Sequence, residues 1–284
     1  MKKAYGRALA LFMLGGLLTV AAIPPYSAAA ARLDVNLTQP EVAEPEDLPG
    51  DAIEVEISRS EAPQPNAARK RVLIYHSHTC EAYEPDYEGQ YAPTERWRTR
   101  DARYSVVRLG AALAEILRRD YGMEVVHDDT NFELPSLNNA YARSLEALEN
   151  YFAREETFDL YLDLHRDAYV SSQTAANTLD ADGRPAARLM FLVGTGEGMW
   201  NGRRFAQKPD WEKNLALAQT LTGAVNARCP GLCRSPSVKT GRYNQHVSAA
   251  ALLVEVGNNR NTLSEALAAL PALAEAIAEA LGGV

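Results

Sequence analysis

The chain has 284 residues, 46% of them hydrophobic, with a formal net charge of −8 and a pI near 5.3. That supplies apolar material for a sizeable core, in one large domain or two small ones, and the acid excess gives a nucleic-acid partner no electrostatic support. The three cysteines contain no CxxC pair, so a zinc ribbon is excluded.

Residues 1–31 read as an export segment. Lys2, Lys3 and Arg7 form a basic start, 8–23 is an uncharged and mostly apolar run, and 27–31 is SAAAA. The run is slightly short of the roughly 20 residues of a spanning helix, so a cleaved signal peptide and a retained membrane anchor are both open. Either puts the body of the protein outside the cytoplasmic membrane. Residues 32–69 are expected to be a linker: nine acidic residues over 34–61 face one basic residue, Arg59, and Pro40, Pro45, Pro49, Pro63 and Pro65 punctuate it. Val55 and Ile57 alternate with Glu54 and Glu56, enough for one short edge strand.

Residues 70–284 are expected to form a single α/β domain. A buried strand, 72–75, runs into His76. Val106, Leu109, Leu113, Ile116 and Leu117 follow helical spacing, ended by Gly122. A short strand spans 123–127. Leu137, Tyr141, Leu145, Leu148 and Phe152 make a second helical stripe. Strands follow at 158–165 (FDLYLDLH) and 189–193, then a helix beginning near Pro209 and Asp210, then a fifth strand at 250–256. Thr262 and Glu265 fit a capping box. They open one last helix whose apolar face is Leu263, Leu267, Leu270, Ala274, Ile277 and Leu281. This order implies a mostly parallel central sheet with helices on both faces.

Three strands end in groups that bind metals or move protons: His76, His78 and Glu81 after the first, His165 at the third, Glu255 in the fifth. Parallel strands bring such ends to one edge. Two histidines, a carboxylate and an open position make a catalytic zinc arrangement, which points to zinc on His78, Glu81 and His165. Glu255 is then the general base. The bland alternative for Glu255 is an ion pair with Arg166 or Arg242. His127 reads as structural and His246 as rim. Cys80 offers a rival chemistry, a thiolate activated by His165 or His76. Cys229 and Cys233, in CPGLC, are buried thiols or a small disulfide loop.

YHSHTCEAY at 75–83, DLHRDA at 163–168, PDWEKNLALA at 209–218 and KTGRYNQHVSAAALLVEVGNNRNTLSEA at 239–266 together resemble the stage II sporulation protein P family. The resemblance runs from about residue 70 to the C-terminus. It implies a cell-wall hydrolase of forespore engulfment, an N-acetylmuramoyl-L-alanine amidase with an added endopeptidase activity. It also implies a stage II sporulation protein D-like transglycosylase as partner in a membrane-associated complex, and a distant relation to the zinc-dependent amidases. On that alignment His78 rather than His76 takes the ligand position, and His76 supports the site from behind. His165 is the second histidine and Glu255 the catalytic glutamate. The ligand carboxylate is Glu81, or Asp101 further along. Arg166 is expected beside the developing oxyanion, and Arg242, Tyr243, Asn244 and Gln245 at the substrate. The opposing expectation is a non-catalytic peptidoglycan-binding scaffold of the same complex.

Overall fold

An apolar stretch with no polar face, such as 72–75, must be covered on both sides to form a stable strand. The computed structural model describes residues 69–86, 90–168 and 177–282; the export segment, most of the linker and the edge strand near Val55 lie outside them. In chain order the elements are β1 (Arg71–Tyr75), α1 (Val106–Tyr121), β2 (Glu124–His127), α2 (Ala140–Ala153), β3 (Leu160–Asp167), β4 (Asn177–Leu179), β5 (Pro185–Ala187) and β6 (Leu189–Gly194). Then come β7 (Met199–Trp200), β8 (Arg203–Arg204), α3 (Trp211–Arg228), β9 (Cys233–Lys239), β10 (Ala251–Asn258), α4 (Leu263–Ala268) and α5 (Leu270–Ala280). The central sheet has the order β2-β1-β3-β10-β6-β9. Its pairings are parallel except that between β10 and β6. The expected mostly parallel α/β architecture is the one observed.

Strand alternation sorts side chains onto two faces. Val72, Ile74, Leu160, Leu162, Leu164, Phe191, Leu252 and Val254 enter the main core with the apolar stripes of α1, α3 and α5. The opposite face carries a smaller cluster, in which Leu73, Tyr75, Tyr161 and Ala251 meet Leu148 and Phe152 of α2. Beyond that cluster, the same face of β3 and β10 turns polar, with Asp163, His165 and Glu255.

Three differences from the expected elements have clear causes. The C-terminal helix is two, α4 and α5, broken at Ala269; Pro271 at the start of α5 has no N–H to donate, and its ring crowds the carbonyl four residues back. The capping box opening α4 does form, with Thr262 and Glu265 bonding reciprocally. Strand β9, CRSPSVK, has no apolar run and forms as an edge partner of β6. Leu137 sits in a 3-10 turn, so α2 begins three residues later than its stripe.

His76 lies on the α1 side of the sheet. It is fully buried; its Nδ1 meets Leu164 O at 2.8 Å and its Nε2 meets His127 Nε2 at 2.9 Å. Since a carbonyl only accepts, His76 carries its proton on Nδ1 and His127 donates from Nε2. Burial and the neighbouring ring lower the His76 pKa to about 3, so the pair is neutral. This corrects its expected place behind the ligands: its side-chain partners are Leu164 and His127. Gly110 of α1 makes room for it, because a Cβ there would stand 2.5 Å from both Nε2 atoms. Gly110→Ala gains about 1 kcal/mol of helix propensity but meets two hydrogen-bonded rings that cannot retreat. Overpacking of this kind costs about 1–3 kcal/mol, so a net destabilisation of up to about 2 kcal/mol is expected in urea unfolding.

Candidate active site

The segment after β1 turns back over the carboxyl edge of the sheet and is held there by its backbone. Glu81 O accepts from Val106 N, Ala82 N donates to Trp97 O, and the buried Tyr83 hydroxyl donates to Val256 O at 2.9 Å. These bonds bring Glu81 under the end of β3. Its Oε2 lies 3.4 Å from His165 Nδ1 and its Oε1 lies 3.5 Å from His78 Nδ1. One ligand atom from each of His78, Glu81 and His165 falls within 4.8 Å of the others. Tetrahedral zinc with ligands at about 2.0–2.2 Å needs ligand atoms about 3.3–3.5 Å apart; each imidazole stands at that spacing from one Glu81 oxygen, His165 from Oε2 and His78 from Oε1.

His165 is oriented from its other nitrogen. Its Nε2 is 2.8 Å from Asp163 Oδ1 and 2.9 Å from Ser77 Oγ, and Ser77 in turn donates to Asp163 from both N and Oγ. A carboxylate on the far nitrogen fixes the ring and leaves Nδ1 for a metal, as in carboxylate–histidine–zinc triads. Asp163 and Ser77 were not anticipated from the sequence. The signal for Asp163 was present: it stands two residues before His165, hence on the same face of the strand. Burial alone would lower the His165 pKa, but Asp163 and Glu81 override it and hold the ring well above its ordinary value. Burial opposes ionisation of Glu81 too, and His165, His78 and Arg166 overcome it, keeping the carboxyl well below its usual range. A cation entering the cluster therefore replaces a proton on His165.

Arg166 is set behind Glu81. Its backbone N donates to Glu81 Oε2 at 3.1 Å, Nη1 stands 3.8 Å from Oε1, and the rest of the guanidinium donates to Ala82 O and Trp97 O. The geometry thus ties Arg166 to the position of Glu81, in place of the expected oxyanion contact. Asp101, the alternative carboxylate, is turned to Arg103.

Glu255 stands beside His165 in the β10–β3 register. Neither Arg166 nor Arg242 forms an ion pair with it, and its Oε2 is buried without a hydrogen-bond partner. Burial raises its pKa to about 8; His165 and Arg166 pull it down while Glu81 and Asp167 push it further up. Tyr141 of α2 walls the site, its ring centroid 5.1 Å from that of His78 and 6.0 Å from that of Tyr243.

The polar run before β10 divides. Asn244 and Gln245 are buried: Asn244 donates to Tyr141 O and Ser144 Oγ, while Gln245 accepts from Gly194 N and donates to Leu192 O. Their expected contact with substrate is corrected; both staple backbone, because their amides are consumed inside the fold. Tyr243 and Arg242 remain partly exposed. Cys80 does not support a thiolate mechanism. It is buried against Asn131, and burial with the nearby Glu133 pushes its pKa up to about 11. Cys229 and Cys233 are free, buried thiols.

A family model described as stage II sporulation protein P matches residues 27–278. Stage II sporulation protein P of Bacillus subtilis (strain 168) is 27% identical over 226 residues, covering 76% of this chain; the chain spans about half (52%) of that protein's length. Among solved structures, similarity extends to the N-acetylmuramoyl-L-alanine amidase AmiC2 of Nostoc punctiforme, at 14% identity and a TM-score of 0.46 over 76% of this chain and 99% of that one. The CwlD amidase of Clostridioides difficile, in complex with the GerS lipoprotein, is similar at 12% identity and a TM-score of 0.47 over 75% and 99%.

Two measurements test this geometry. Asp163→Asn is expected to weaken zinc binding about 10–100-fold in competition with a chelator; unchanged affinity would remove Asp163 from the site. For Glu255, a carboxyl pKa raised from 4.5 to about 8 means that the folded state binds the proton more tightly than the unfolded chain. The stability it contributes is complete below about pH 4.5 and is lost as pH rises through about 8. In chelator, Glu255→Gln should melt with the native sequence at pH 4 and about 5 °C or more above it at pH 9.

Proposed function

Because the chain belongs to the stage II sporulation protein P family, we propose that it is a zinc-dependent peptidoglycan hydrolase. It cleaves the amide between the lactyl group of N-acetylmuramic acid and L-alanine of the stem peptide during sporulation engulfment. The observation that carries this reading is the His78–Glu81–His165 cluster, which gathers three metal-binding side chains within 4.8 Å and whose inner histidine is oriented by Asp163. We also propose that the protein works outside the cytoplasmic membrane, tethered or released by residues 1–31, beside a stage II sporulation protein D-like transglycosylase.

His78, Glu81 and His165 would hold zinc, which would supply Lewis-acid chemistry toward an amide carbonyl and a water at neutral pH. The chain's own groups do the rest. Asp163 and Ser77 fix the tautomer of His165, and Arg166 fixes Glu81. Glu255 takes a proton from the water attacking the lactyl carbonyl carbon, then passes it to the alanine nitrogen as the carbon–nitrogen bond breaks. Tyr141 and Tyr243 line the approach. A scaffold that only binds the wall has no use for a buried carboxylate without a partner, an arrangement that costs stability.

Glu255→Gln is expected to keep zinc at one equivalent and lose about 10²–10⁴-fold in release of stem peptides from purified sacculi. Retention of full hydrolysis would end the general-base assignment. Binding of sacculi with no released peptide from the native sequence would return the protein to the scaffold class.

A further inference from the structure

One exposed feature lies outside the chemistry above. After β6 the chain makes a small hairpin, β7 with β8, whose Met199 and Trp200 are exposed at 67% and 54%. Between 197 and 208 the chain has three cations, Arg203, Arg204 and Lys208, and one acid, Glu197. In a protein of net charge −8 this is a local reversal of sign. Glu197 is shared between Lys208 at 2.7 Å and Arg204 at 3.8 Å, and Arg203 has no ion pair among the described residues.

The hairpin is anchored to the loop that leads to the cleft. Thr195 N donates to Lys239 O, Gly196 N to Gly241 O and Gly198 N to Thr240 O. Glycine is required at 198, where a Cβ would stand 2.8 Å from Thr240 O, and at 241, where it would strike the Tyr243 ring at 2.5 Å. That packing places Arg242 against the hairpin, its guanidinium carbon 4.9 Å from the centre of the Phe205 ring. Arg242 is half-buried, and among the described residues it forms no ion pair, Glu149 acting on it only from beyond contact distance. Trp200, Arg203, Arg204, Phe205 and Arg242 line one groove of about 610 Å³. A guanidinium stacked on an aromatic ring and left without a counter-ion is a ready anion receptor.

We propose that this groove is a subsite for the free carboxylates of the stem peptide, an inference that rests on the peptidoglycan reading above. Charge selects the occupant, since neutral glycan offers nothing to three arginines. Reach agrees with it. Tyr141 and Tyr243 bridge from His78 to the loop bearing Arg242, with ring centroids 5.1 and 6.0 Å apart along that path. An extended peptide advances about 3.4 Å per residue, so a chain cut at its first residue in the metal cluster reaches the Tyr243 ring after about three residues, and Arg242 is the next residue along that loop. There it presents its distal carboxylates. The subsite holds the peptide side of the scissile bond, leaving the glycan at the opposite end of the cleft.

The test measures co-sedimentation of the full chain, carrying Glu255→Gln to prevent digestion, with purified sacculi. The sacculi are used as isolated and after carbodiimide amidation of their carboxyl groups. Amidation is expected to weaken binding about tenfold. Arg203→Gln with Arg204→Gln should weaken binding to untreated sacculi by a similar factor and abolish the effect of amidation. Arg203→Lys with Arg204→Lys, which keeps the charge, should restore sensitivity to amidation. The proposal is overturned if the glutamine pair binds untreated sacculi as tightly as its parent. It is also overturned if amidation weakens parent and glutamine pair by the same factor, or if the lysine pair stays insensitive. Hydrolysis of the same sacculi by the native sequence is scored separately. Digestion without coupling between arginines and carboxyls sinks the subsite alone, and coupling without digestion sinks the amidase reading alone.

Discussion

The site depends on one buried chain of contacts, Asp163 to His165 to Glu81. Each member is under 9% exposed, and charges at such depth are tolerated only when paired. Asp163 and Glu81 flank the imidazole from opposite nitrogens, so the ring has one orientation available. Removing one partner from such a set leaves a buried charge uncompensated, at a cost of about 3–5 kcal/mol. The turn at 76–83, the backbone bonds to Arg166 and the Ser77 hydroxyl all serve to deliver Glu81 and hold Asp163. The same excess of negative charge makes a cation the natural third party.

The turn that ends β1 explains how one strand end serves two purposes. His76 and His78 are two residues apart, yet the chain leaves β1 at Tyr75 and turns, so alternation no longer holds across the pair. His76 stays with the core face and meets His127 over Gly110; His78 swings to the opposite side, 28% exposed in its side chain, beside Tyr141. The neutral histidine pair and the charged cluster are thereby kept on separate sides of the sheet. A ring whose pKa has fallen to about 3 adds no positive charge to the core side of the sheet.

Much of this was legible from the residues. The parallel strands announced themselves as apolar runs, and their ends named His78, His165 and Glu255, because in a parallel sheet those ends share an edge. What escaped was set by partners distant in sequence. Asp163 shares a strand face with His165 in the sequence, but its role shows only when Ser77, 86 positions away, is seen donating to it twice. Asn244 and Gln245 look like loop polarity, and only the approach of α2 and β6 turns their amides inward. Arg166 carries the same charge wherever it points; the carbonyls of Ala82 and Trp97 decide that it points behind Glu81. Strand β9 had no apolar signal because its place at the sheet edge demands none.

Glu255 shows why stability and function pull apart here. An apolar residue at 255 would continue β10 without penalty, and a carboxyl forced to keep its proton to about pH 8 is a local cost. An ion pair would have relieved it, and two arginines were candidates in the sequence. The fold spends Arg166 on Glu81 and sends Arg242 to the Phe205 ring. Both withdrawals leave Glu255 the sole carboxylate of the cluster region with an unpartnered oxygen among the described residues. A carboxylate locked in a salt bridge would be a weak base; Glu255 is left without one, beside the His78–Glu81–His165 set, where its second oxygen stays available.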